Sequence, residues 1–295
     1  MRGAYSAKTK WQAIRLVFFV PFLFSCNTLP ISRISNSDID KPKINGPAVL
    51  PALPSANEIR ISPFVFYSDR PLPKGHQILN SAASLRGSVC LDLNFAPPKG
   101  PIFVYIFGEK GSFDHYLQRN YPNLPPRRAF FMAQRRPGTH DEDLIVLTWW
   151  SDKLEQDLRH ELTHALIHTA IPDIPLWLDE GLAEYYELQT FIDTSEERRI
   201  QALSDFMSGN RPNIHRLEKL LDIHQMGREE YREAWCWTRW ILIGSSEARA
   251  VFISYLCDLK KGKKYCLADR ILSAVPDFKE KMLQFSKIPI KQSSE

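Results

Sequence analysis

Apolar and polar positions change rhythm midway along this chain. Before residue 150 the apolar residues come in short blocks with strand-like alternation; after it they recur every three or four residues. Glu58 to Tyr67 alternates and is rich in aromatics, which predicts a strand, and Gln77 to Leu91 predicts a helix. Pro101 to Phe107 is a compact apolar strand, and Ser112 to Gln118 a short helix. Arg128–Ala133 and Leu144–Trp149 read as two further strands joined by the turn-rich stretch 134–143. Ser151 and Asp152 open a helix that runs to about Thr169 and stops before Pro172. Pro175 starts the next helix, through Leu188. Helical spacing continues over 194–207, 214–221, 229–243, 246–259 and about 276–285, and no internal repeat is present. The expected class is α+β, a strand-rich N-terminal half packed on a helical C-terminal half.

The two ends follow other rules. Residues 1–25 have the layout of an export signal: Arg2, Lys8, Lys10 and Arg15 precede the apolar run Leu16 to Phe24. That run is too short to cross a bilayer, which takes about 20 residues, and Pro21 interrupts it. Leu23-Phe24-Ser25-Cys26 resembles the lipobox of bacterial lipoproteins, although Phe24 is bulkier than that pattern prefers. The resemblance implies lipidation at Cys26 and a membrane-anchored, envelope location. Residues 26–56 carry Pro30, Pro42, Pro47, Pro51 and Pro54, a tether composition. One catalytic domain over 57–285 and a tail over 286–295 complete the division.

Composition narrows the function classes. Hydrophobic residues at 44% and charged residues at 24% describe an ordinary globular protein. The formal net charge of +4 comes entirely from residues 1–25, so the remainder offers no electrostatic footprint for nucleic acid. Export would place Cys90, Cys236, Cys257 and Cys266 in an oxidising compartment. A local Cys257–Cys266 bridge with Cys90–Cys236 as the second pair is one reading; four reduced thiols is the other. No Cys-x-x-Cys pair exists to build a cysteine-based zinc site.

The chemistry-bearing positions lie in the second half. His160-Glu161-Leu-Thr-His164 places two imidazoles one helical turn apart on one face, able to reach one ion. Glu161 projects about 100° away from His160, where it can hold a water without binding the metal. The apolar stripe Leu154, Leu158, Leu162, Ala165 and Leu166 lies on the opposite side, so core packing does not account for the histidines. His168 is eight residues from His160, about 12 Å along a helix, too far to share the ion. A third ligand, Glu180, is available with fifteen residues between it and His164, in Trp177-Leu-Asp-Glu180-Gly-Leu-Ala-Glu184. Pro172 and Pro175 between the blocks enforce a chain reversal that lets the helices pack antiparallel.

Together these blocks resemble the gluzincin peptidases, the clan of thermolysin and aminopeptidase N. The resemblance implies a zincin-like domain holding Zn2+ through His160, His164 and Glu180, with Glu161 as general base and then acid. It implies that Glu184, one turn beyond Glu180, supports a zinc-binding histidine. Glu230-Tyr231 and the helix that follows resemble the aminopeptidase N segment whose tyrosine stabilises the oxyanion, so Tyr231 takes that role; the alternative is a tyrosine anchoring the core. An edge strand beside the zinc helix pairs with substrate in these enzymes, which points to Leu144–Trp149. The Gly-Ala-Met-Glu-Asn exopeptidase segment is missing, which favours an endopeptidase acting on a protein or peptide substrate. The competing class is a noncatalytic envelope lipoprotein that keeps the fold for binding or scaffolding.

Overall fold

The computed structural model describes residues 15–17, 52–122, 124, 126–135, 141–188 and 212–286. Cys26, most of the tether, the expected helix over 194–207 and the tail beyond 286 lie outside them. The described residues form a mixed sheet in the N-terminal half and helices in the C-terminal half.

The strands are β1 (Arg15–Val17), β2 (Asn57–Ile61), β3 (Phe64–Ser68), β4 (Ile102–Phe107), β5 (Ala129–Arg135) and β6 (Glu142–Trp149). Their order in the sheet is β1-β5-β6-β4-β3-β2. β3, β4 and β6 run parallel, while β2 and β5 are antiparallel to their neighbours. The crossover from β3 to β4 is helix α1 (Gln77–Asp92), and α2 (Lys110–Asn120) follows β4.

Alternation along the strands splits the apolar residues between two layers. Ile102, Val104, Ile106, Phe131, Ala133 and Val146 face the main core, shared with the helices. Phe107, Phe130, Met132 and Leu147 face the other side, where Phe113 and Leu117 of α2 cover them. The sheet is therefore covered on both faces, as its parallel centre requires.

The site is carried by α3 (Leu154–His168) and α4 (Leu176–Leu188), followed by the one-turn α5 (Ile214–Leu217) and α6 (Arg228–Arg239). A π-helical turn (Trp240–Gly244), α7 (Ser246–Lys260), α8 (Leu267–Ala274) and α9 (Phe278–Ser286) complete the helical half. No helix among the described residues is long and apolar enough to cross a membrane.

Several expectations need correction. The run from Glu58 to Tyr67 is a hairpin, turning at Ser62-Pro63, rather than one strand, because Pro63 lacks a ladder donor. The helix expected over 214–221 ends after one turn, and the helix over 267–274 was not foreseen. Leu144–Trp149 is interior, paired on both sides by β4 and β5. On that side β5 lies beyond β6 and Arg15–Val17 pairs antiparallel along β5 as the outermost strand; those three residues fall inside the segment expected to be the export signal. Cys90, Cys236, Cys257 and Cys266 are free thiols, so neither expected disulfide is formed.

Helix α4 approaches α6 closely at Gly181. A Cβ there would stand 2.4 Å from Thr238 Oγ1 and 2.7 Å from the Ala234 carbonyl oxygen. A backbone oxygen cannot swing away, so only glycine allows this approach. Gly181→Ala is expected to cost about 1–3 kcal/mol by overpacking. A denaturant titration reads this as a lower midpoint at unchanged slope; an unchanged midpoint would show that the two helices have room to spread.

Candidate metal centre

Helix α3 is buried almost all round, its polar side included. Asp157, Arg159, His160, Glu161, Thr163 and His164 are each at most 4% exposed. A helix carrying that many polar groups into a core must satisfy them. Arg128 binds Asp157 through two nitrogens, at 3.0 and 2.7 Å. Arg159 donates to the Tyr186 carbonyl at 3.0 and 2.7 Å, which fixes α3 against α4. Thr163 donates its hydroxyl to the Arg159 carbonyl.

Against this background the central groups differ. His160 Nε2 and His164 Nε2 face each other at 3.1 Å. Glu180 Oε2 lies 3.7 Å from the first and 3.9 Å from the second. All three residues are 0% exposed. A point equidistant from three atoms so separated lies about 2.1 Å from each, the usual length of a zinc bond to nitrogen or oxygen. Neither oxygen of Glu180 has a hydrogen-bond partner, and the same holds for Glu161.

Protonation deepens the mismatch. Glu187 Oε2 is 2.9 Å from His160 Nδ1, and Gln156 donates to the other oxygen of that carboxylate. Asp179 Oδ1 is 2.9 Å from His164 Nδ1, a short contact that is not aligned as a hydrogen bond. Its Oδ2 is 2.9 Å from His168 Nε2. Carboxylates at both Nδ1 atoms draw the ring protons there and leave the Nε2 lone pairs facing inward. Two imidazole nitrogens and a carboxylate oxygen thus converge on one point. Such an arrangement suits a divalent cation, and the donor set of two imidazoles and one carboxylate suits a borderline-soft one.

The titration tendencies have the same origin. Burial pushes His160 well below its ordinary value, and His164 adds to this, so the neutral ring that ligates is favoured. Burial pushes Glu180 well up, reinforced by Asp179, Glu161 and Glu184. Glu161 is raised to about 8, again first by burial, with Arg127 pulling the other way. Burial alone would raise Asp179, but His164 and His168 outweigh it and hold the carboxyl well below its usual range.

The residues anticipated from sequence are brought together. His160, Glu161 and His164 lie in the middle of α3, and Glu180 meets them from the first turns of α4. Tyr231, 3% exposed at the start of α6, has its phenol pushed up by burial and next by the charge of Glu180. Glu184 joins His160 and Glu187 in a group whose ligand-type atoms lie within 4.8 Å of one another. Trp235, Trp237 and Trp240 are core, at 2%, 0% and 0% exposure. His168 is not a ligand; it turns to Asp179.

Sequence reasoning missed Asp179, Glu187 and Arg127. Asp179 immediately precedes Glu180, and Glu187 follows Glu184 by three residues, so helical spacing could have suggested both. Arg127 precedes β5, and nothing local marks it, yet its charge reaches Glu161, Tyr231 and Glu180. The ring of Phe131 on β5 stacks on His164 at 6.1 Å and meets His168 at 5.1 Å, which brings β5 to the centre.

No protein-family model, curated protein or solved structure matches this chain.

These contacts set an order of metal affinities. Zn2+ added to chelator-treated protein at a hundred times its Kd is expected to stabilise the fold by about 2.7 kcal/mol. Glu180→Ala should remove that gain. Glu187→Gln should keep the fold and weaken the affinity about 10–100-fold, because only the orienting contact to His160 changes. Competition with a chromophoric chelator measures both; equal affinity in Glu187→Gln and wild type would remove Glu187 from this role.

Proposed function

We propose that this chain is a zinc-dependent peptidase of zincin-like architecture, an endopeptidase of the gluzincin type. The supporting observation is the convergence of His160 Nε2, His164 Nε2 and Glu180 Oε2 beside an unpartnered carboxylate, Glu161. The fold supports the reading in a second way. A mixed sheet, with β5 antiparallel to β6, runs past the helix bearing both histidines.

Zinc held by these three residues supplies Lewis acidity, which makes water acidic and a peptide carbonyl electrophilic near neutral pH. The chain does the rest. Glu161 takes the proton from the attacking water and returns it to the departing amine nitrogen, ending as it began. Tyr231 donates its phenolic hydrogen to the oxygen that gains charge as the carbonyl carbon becomes tetrahedral. Arg127 holds a positive charge near Glu161, Glu180 and Tyr231, which favours the developing negative charge.

The substrate takes an extended form in this reading. Pairing of Arg15–Val17 with Phe131–Ala133 indicates that the side of β5 away from β6 accepts an antiparallel strand. A peptide laid there gains backbone hydrogen bonds for affinity and side-chain pockets for selectivity. His160, His164 and Glu180 are 0% exposed, so the surroundings must part to admit it. The signal-like residues 1–25 and Cys26 place the enzyme, in the same proposal, on a lipid anchor at the cell envelope.

Two substitutions test the assignment. Glu161→Gln is expected to lower kcat/KM on a denatured-protein substrate by about 10²–10⁴-fold while zinc content stays at the wild-type level. Tyr231→Phe should lower kcat by about 10²–10³-fold with KM little changed. A wild-type protein that binds zinc yet cleaves no member of a broad substrate panel would overturn the peptidase reading in favour of a binding or scaffolding role.

A further inference from the structure

A second cluster of ligand-type side chains lies away from this centre, where α5 meets α8. We propose that His215, Glu218, Cys266 and Asp269 form a separate site for a divalent transition metal, with zinc the best match to its donors. This inference does not depend on the peptidase reading.

The residues come as two pairs at helical spacing. His215 and Glu218 are three apart at α5, and Cys266 and Asp269 are three apart at the start of α8, so each pair presents one face. Across the junction His215 Nε2 is 2.9 Å from Asp269 Oδ1, and Cys266 Sγ is 2.7 Å from Glu218 Oε2. The ligand atoms of His215, Cys266 and Asp269 all lie within 4.8 Å of one another. Imidazole, thiolate and carboxylate form a donor set for a borderline-soft ion, at bonds of about 2.0–2.3 Å.

Ordinary structural roles explain only part of this. Glu218 Oε1 caps α8, accepting from the Leu267 and Ala268 amides at 2.7 and 3.1 Å. That duty leaves Oε2 directed at sulfur. Cys266 occupies the N-cap of α8, a position that favours Ser, Thr, Asp or Asn, and its sulfur lies within reach of the Asp269 amide and carboxylate as well as of Glu218. A thiol is a poor N-cap and a weak donor, so its place against a carboxylate is better explained as a ligand position. Burial and then Glu218 raise the thiol to about 12, so it keeps its proton until a cation displaces it. On binding, Cys266 forms a sulfur–metal bond and its proton leaves to solvent. His215 and Asp269 have side chains 45% and 71% exposed, free to adjust around the ion.

The site would clip together segments 48 to 54 residues apart in sequence. α5 is itself tied to α6, since Arg216 pairs with Glu230 and Glu233, and the Asn213 amide donates to Glu233 at 2.6 Å. The clip therefore steadies the helix that begins beside Tyr231.

Cobalt distinguishes the two centres, because only this one offers a thiolate. Chelator-treated full-length protein titrated with Co2+ is expected to develop near-ultraviolet thiolate-to-cobalt charge-transfer absorption. Cys266→Ser should abolish the band and one equivalent of bound Co2+, while His164→Ala leaves the band intact. His215→Ala and Asp269→Asn, which spare the α8 cap, should each weaken the cobalt affinity of the band at least tenfold with unchanged far-ultraviolet circular dichroism. Absence of the band at excess Co2+, its persistence in Cys266→Ser, or unaltered affinity in both His215→Ala and Asp269→Asn would overturn the proposal.

Discussion

Two imidazole nitrogens and a carboxylate oxygen, brought together and sealed from water, are the constraint around which this molecule is arranged. Burying a carboxylate and two imidazole lone pairs without donors costs several kcal/mol in most settings. The neighbours do not relieve that cost. Glu187 and Asp179 sit behind the rings and push their lone pairs inward, and Glu161 adds a further unpartnered carboxylate. Only Arg127 acts in the opposite sense on Glu161 and Glu180 alike. A site with this excess of inward-facing negative character reads as prepared for a cation.

The same constraint explains how much of the core is polar. α3 could have packed through its apolar stripe alone, with its other face in water. Instead Arg128, Tyr186 and Glu187 reach its polar side, and each contact also restrains a group next to the centre. Gly181 brings α4 against α6, so the helix holding Glu180 and the helix holding Tyr231 cannot drift apart. Donors on mutually fixed helices keep their separations better than donors on loops.

The two clusters differ in ways that follow from their surroundings. The α3–α4 centre is dry and brings together three ligand-type side chains, the number that the proposed catalytic role calls for. The α5–α8 cluster offers four donors, half of them well exposed, which is the pattern of a closed structural site. A thiolate suits the second role because it binds tightly without leaving room for water.

Much of this was legible in the residues themselves. The switch from alternation to three-and-four spacing located the halves, and His160, Glu161 and His164 were readable because one helix sets their geometry locally. Glu180 was readable because Pro172 and Pro175 force the reversal that returns it to them. What tertiary structure alone decided lies where distant segments meet. Arg127 reaches the centre from the segment that leads into β5. β6 is interior, between β4 and β5, since sheet order depends on pairing that alternation does not encode. Glu187, not only Glu184, faces His160, because the rotation of α4 is set by Arg159 and by Gly181 against α6. Cys266 turns to Glu218 instead of Cys257 for the same reason: the partner of a side chain is chosen by packing across the fold, whereas its spacing is written along the chain.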